Sequence, residues 1–241
     1  MAEQEVIKHT KKIFGIWGSK KGFWHKVGEF FLEIVIIVFA VSLSIYLHDR
    51  SESKHQQHET KEFLLGLKQD LETDITEMKA DIQSFEKSSK GFSYVTSRKI
   101  NEPLHPDSMR KYINWLFNTT GLVPNSGRFE GFKSSGKIGT IADKELQNNI
   151  MDLYQENIPN LISSTNFYTV KKQKLWEYVA GSTKRVTDST TNLLAVLATD
   201  QSFNISITLT SVKEIIDRYD TCIAKMKTII EAINKEYGEE H

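Results

Sequence analysis

A single cysteine, Cys222, in a chain of 241 residues excludes an intramolecular disulfide and a zinc site built on cysteine. Proline is equally scarce, with four in all, and glycine reaches thirteen. Turn-formers are too few for a many-stranded sandwich or barrel, and charged residues recur at helical spacing, so a mainly α-helical protein is expected. An excess of charge is missing as well: Lys+Arg and Asp+Glu both total 31. The chain therefore lacks the global positive field of most nucleic-acid binders, and a nucleic-acid partner is not expected. Its length accommodates one ordinary domain with additions.

One long apolar run is present. Residues 30–47 read FFLEIVIIVFAVSLSIYL, interrupted by one charge, Glu33. At about 1.5 Å per residue, residues 27–47 match a hydrocarbon core of about 30 Å. Apolar or small side chains on every face favour a transmembrane helix over a buried core helix. A cleaved signal peptide fits less well, because the run starts far from Met1 and no small-x-small site follows it. Lys8, Lys11, Lys12, Lys20, Lys21 and Lys26 precede the span, whereas Arg50, Lys54 and Lys61 follow it. That asymmetry predicts a basic cytoplasmic segment at residues 1–26 and an extracytoplasmic remainder, periplasmic in a Gram-negative host. Trp17, Phe23, Trp24 and Tyr46 suit the two interfaces.

Glu29 and Glu33 share a helix face, and a charged Glu33 against lipid costs about 2.5 kcal/mol or more at the bilayer centre and less near the interface. Either both carboxylates reach the cytoplasmic interface and pair with His25 or Lys26, or Glu33 faces another transmembrane helix. Ala40 and Ser44 form a small-xxx-small pair compatible with helix association.

Beyond the span the pattern predicts a membrane-proximal, coiled-coil-like helix within residues 48–90. Leu64, Leu71, Met78 and Phe85 are seven apart, with Leu67, Ile75 and Ile82 in complementary positions. A helical domain over 91–241 follows. Its first short helix is capped at Asp107 or Ser108, and a glycine-rich irregular connection fills 121–140. A further helix is capped by Asp143 and interrupted by Pro159, while 203–209, with alternating Phe203, Ile205, Ile207 and Leu209, reads as loop or short strand. The last helix carries a wide apolar stripe from Ile215 to Tyr237. The expected architecture is all-α, an N-terminal span followed by an antiparallel helical bundle.

Candidate chemistry is thin. Gly131, Gly136 and Lys137 match a phosphate-binding GxxxxGK loop, but Ile138 stands where a magnesium-binding hydroxyl is required, and no buried strand leads in, so no nucleotide is expected. His48, His55 and His58 are weak metal candidates, with Glu59 nearby. Cys222 is expected to pack as a small hydrophobe. Asp70 and Asp74 read as a solvated helix face. Neither a cofactor nor an enzymatic activity is expected.

The segment LEIVIIVFAVSLSIYLHD, with Glu33 and Ala40-Val41, and the segment FLLGLKQDLETD from Phe63 resemble a group of bacterial single-pass inner-membrane proteins of uncharacterised function. FKSSGKIGTI, followed by Leu146, Ile150, Leu153 and Tyr154, is similar to that group's second landmark, a Ser-Gly turn before a helix. Where the group's polar exit reads Asn-x-Trp, this chain has His48-Asp49-Arg50. The resemblance implies an inner-membrane protein with a helical periplasmic domain, and it implies no enzymatic activity. Two functions remain in view. One is a membrane-anchored interaction or scaffold protein that binds a partner, such as another membrane protein, or forms a homo-oligomer. The other is an accessory subunit of an ion-conducting or energy-transducing membrane complex that uses Glu33.

Overall fold

A computed structural model describes residues 23–100 and 102–238, with side chains from Val27 onward. The basic segment 1–26 and the interfacial rings of Trp17, Phe23 and Trp24, together with the proposed partners His25 and Lys26, lie outside the described residues or side chains. The described residues are overwhelmingly helical and contain no strand beyond an isolated antiparallel bridge between Arg185 and Thr191. Two compact units divide the chain, Met1–Glu59 and Thr60–His241.

Helix α1, Phe23–Thr96, contributes to both units. In the first unit, Val27, Phe31, Ile36, Phe39 and Leu47 are all exposed, and none of its most apolar stretch is buried. This is the one described helix long and apolar enough to cross a membrane.

In the second unit, α1 supplies a seam of buried side chains. Leu64, Leu67, Leu71 and Met78 have no exposed surface, and Phe85 and Phe92 join them. The seven-residue spacing thus buries a continuous stripe against the same chain. The helix runs to Thr96, past the boundary at residue 90 that the pattern suggests; Phe92 and Val95 carry the seam two turns onward.

The remaining helices are α2 (Pro106–Phe117), α3 (Gly127–Ser134), α4 (Lys144–Asp152), α5 (Ile158–Ser182), α6 (Leu193–Leu197), α7 (Asp200–Ile207) and α8 (Lys213–Tyr237). Asp143 caps α4 as expected, accepting bonds from the Glu145 and Leu146 amides at 2.8 and 3.1 Å. Helix α2 starts differently from the expectation: His105 is the flanking residue, Pro106 opens the helix and Asp107 lies in its first turn. Proline's fixed φ and missing N–H suit that first position.

Two segments correct the sequence reading. Residues 121–140 are not irregular throughout, because α3 forms inside them and a 3₁₀ turn follows at Lys137–Thr140. Burial of Phe129, stacked on Tyr154 at 4.3 Å, and the Phe63–Phe132 stack at 3.9 Å outweigh the low helix propensity of Gly127 and Gly131. Residues 200–207 are likewise helical rather than loop or strand. Thr199 caps them, and the buried face is Ser202 and Ser206, while Phe203 and Ile207 are exposed. The Ser202 hydroxyl donates to the Val196 carbonyl at 2.8 Å, so its burial leaves it satisfied.

Pro159 marks a local widening in place of a break. Leu153–Asn157 is a π-turn that leads directly into α5. Proline cannot donate to the preceding turn and its ring crowds a carbonyl there, and an extra residue in that turn relieves the clash.

Candidate functional site

A line of polar side chains lies inside the second unit. Thr60, Leu67, Asp74, Asp81, Ser88 and Val95 occupy one seven-residue register of α1, and all six are buried. Four of the six are polar, so a seam traced through Ile75 and Ile82 as the complementary positions passes beside this line. Ile75 is buried and Ile82 is half-buried, but the register continues through its polar neighbours.

Each polar member has a specific partner. The Thr60 and Thr140 hydroxyls share a hydrogen bond of 2.7 Å. Asp74 accepts from the Asn125 side-chain amide at 2.6 Å and from its backbone N–H at 3.2 Å. The expectation that Asp74 is solvated is therefore wrong: it has no exposed surface. Burial raises its pKa against the opposing pull of the Asn125 bonds. Asp70, by contrast, pairs with the Arg128 guanidinium at 2.9 Å and is part-exposed. Asp81 accepts from the Tyr219 hydroxyl at 2.8 Å and from the Thr120 hydroxyl. Burial and Asp81 together hold the Tyr219 phenol far above its ordinary value.

Ser88 closes the line. Its hydroxyl donates to the Trp115 carbonyl at 2.9 Å, where Lys172 of α5 also donates at 2.8 Å. The Lys172 ammonium further reaches the Asn118 carbonyl, so one buried cation covers the carboxyl end of α2. Burial lowers its pKa to about 8. The Phe92 and Tyr168 rings stand 5.9 and 6.0 Å from the same nitrogen. These groups tie α1, α2, α5 and α8 together through carboxylates, carbonyls and hydroxyls that are already engaged. The Tyr154 hydroxyl, in contrast, is buried with no hydrogen-bond partner among the described residues, and burial near Asp74 and Asp70 raises its pKa.

The positions singled out by sequence lie elsewhere. Glu29 and Glu33 are half-exposed on the apolar stretch of α1, and Ala40 and Ser44 are exposed there. His55 faces Glu59 at 3.5 Å. His48, His55 and His58 do not converge within the chain, and no group of three or more His, Cys, Asp or Glu side chains able to hold a metal forms among the described residues. The phosphate-loop lookalike spans the end of α3, a left-handed turn at Gly136 with φ of 74°, and the 3₁₀ turn. It thus sits after a helix rather than between a strand and a helix N-terminus. Cys222 packs inside the core, as expected, and burial raises its thiol pKa to about 11. An open groove of about 450 Å³ between α5 and α8 is lined by Ser163, Ser164, Phe167, Lys171, Ser211 and Glu214.

The chain belongs to DUF6090, a family of unknown function, whose family model matches residues 33–214. The match begins at Glu33 and reaches Glu214 in the first turn of α8, so it takes in most of the apolar stretch and the whole polar line. No curated protein and no solved structure matches the chain.

Proposed function

We propose that this protein is a non-enzymatic scaffold of a bacterial inner membrane. In this reading residues 27–47 cross the bilayer once, with the N-terminus in the cytoplasm. Residues 48–241 form a periplasmic domain, whose helices pack as an antiparallel bundle and bind a partner protein or a second copy of the chain. The observation that carries the reading is the apolar stretch of α1, none of which is buried. A row of large side chains such as Phe31, Leu32, Ile36 and Phe39 has a favourable environment in hydrocarbon and none in water. The lysine asymmetry supports the orientation. The polar groups of the second unit support a structural role, since the buried carboxylates Asp74 and Asp81 are occupied by Asn125, Tyr219 and Thr120.

Crosslinking in intact membranes tests the interaction half of the proposal. A discrete crosslinked species, either twice the chain's mass or one containing a reproducible neighbour, is expected. A chain that stays monomeric with no captured neighbour contradicts it.

A further inference from the structure

The stretch of α1 from His48 to Glu59 carries a pattern that anchoring alone leaves unused. His48, Glu52, His55 and Glu59 are spaced four, three and four residues apart. At about 100° per residue they fall within an arc of about 60° on one helix face. His48, Glu52 and His55 are exposed, and Glu59 is half-buried. His55 Nε2 stands 3.5 Å from Glu59 Oε1, beyond ordinary hydrogen-bond length. A tetrahedral zinc ion with ligand bonds of about 2.0–2.1 Å holds any two donors about 3.4 Å apart. The pair is thus spaced as two ligands of one such ion. His48 and Glu52 repeat the four-residue spacing one heptad earlier, with Glu52 accepting from Gln56 through one oxygen at 3.1 Å.

Each pair supplies two ligands, and zinc takes four. Copies of a chain inserted by the same span run parallel. A two-fold axis placed on this face of α1 brings each pair against its own counterpart, which completes a two-histidine, two-carboxylate shell. We propose that His55–Glu59, and His48–Glu52 before it, are half-sites for zinc that close between two copies of the chain. This rests on the self-association reading above and gives it a chemical trigger. Imidazole and carboxylate together suit zinc, and two carboxylates neutralise its charge.

The test uses the full-length protein in mild detergent, carried on an affinity tag free of histidine and stripped of metal by a chelator. Zinc is titrated while mass is followed by light scattering, with cobalt(II) absorption reporting tetrahedral geometry. The expected result is a zinc-dependent dimer holding two ions. The H55A/E59A double variant should lose one ion and weaken zinc-dependent dimerisation by about tenfold or more, whereas H105A changes neither. An absence of bound zinc, or binding unaltered in H55A/E59A, overturns the site. Zinc held by a monomer overturns its closure between copies. A dimer that forms equally well in chelator overturns the zinc proposal and leaves self-association standing, so the two failures are distinguishable.

Discussion

Tyr219 and Asp81 meet in the core through a 2.8 Å bond, with both side chains buried. Tyr219→Phe removes the donor and leaves a buried carboxylate with one bond fewer, so it should cost about 1–3 kcal/mol in urea unfolding of the protein. Asp74→Leu should cost a similar amount, because the Asn125 amides lose their acceptor, while Asp74→Asn keeps an acceptor oxygen and should cost less. Lys172 gives a pH signature. Its native pKa of about 8 lies below the ordinary 10.5, so between those values the unfolded chain binds the proton that the native state has released. Stability should therefore rise with pH across that window, and the burial cost should be fully present below it. The rise should be smaller in Lys172→Met, and the comparison of unfolding midpoints at pH 7.5 and 10 checks it. A flat difference between the two proteins contradicts the assignment. Cys222, buried and with its thiol pKa raised to about 11, should resist maleimide in the folded protein and react on unfolding.

Among the elements, the most regular patterns were the most legible. The stripe of α8 and the α1 seam could be read from spacing alone, since each buries one face of a long helix. Asp143 announced the start of α4 because an N-cap acts through its immediate neighbours. What stayed hidden depended on distant partners. Helix α3 forms where Phe129 and Phe132 find Tyr154 and Phe63, and no local signal in a glycine-rich stretch reports those rings. In α7 the sequence pattern misleads, because two serines are buried and two large apolar residues are not. The buried carboxylates could have been found by extending the seven-residue register through Thr60 and Ser88, which places Asp74 and Asp81 on the line between them. A Cβ at Gly66 collides with the Arg128 guanidinium, a close approach that no local pattern in the sequence reports. Gly66→Ala should displace Arg128 from Asp70 and, the pair being part-exposed, cost no more than about 1 kcal/mol. Leu71→Ala, which cuts into the middle of the α1 seam, should cost about 2–5 kcal/mol by the same assay.

At the scale of the whole molecule, one helix serves two kinds of environment. Its first part exposes apolar side chains along its length, and its later part contributes a buried seam to a packed protein core. The family match spans both parts, from Glu33 to Glu214. The proposed scaffold role depends on the exposed part lying in a bilayer with the rest of the chain outside the cytoplasm. Single-cysteine labelling measures this most directly. With Cys222→Ser as background, cysteines are placed singly at Ser189 in an exposed loop and at Ser19 before the span. Spheroplasts from cells expressing each form are treated with a membrane-impermeant maleimide. The account predicts that the cysteine at 189 reacts in intact spheroplasts, that the one at 19 reacts only after lysis, and that both proteins stay in the membrane pellet through alkaline carbonate. A protein released by carbonate, or a cysteine at 189 that is protected until lysis, would contradict it.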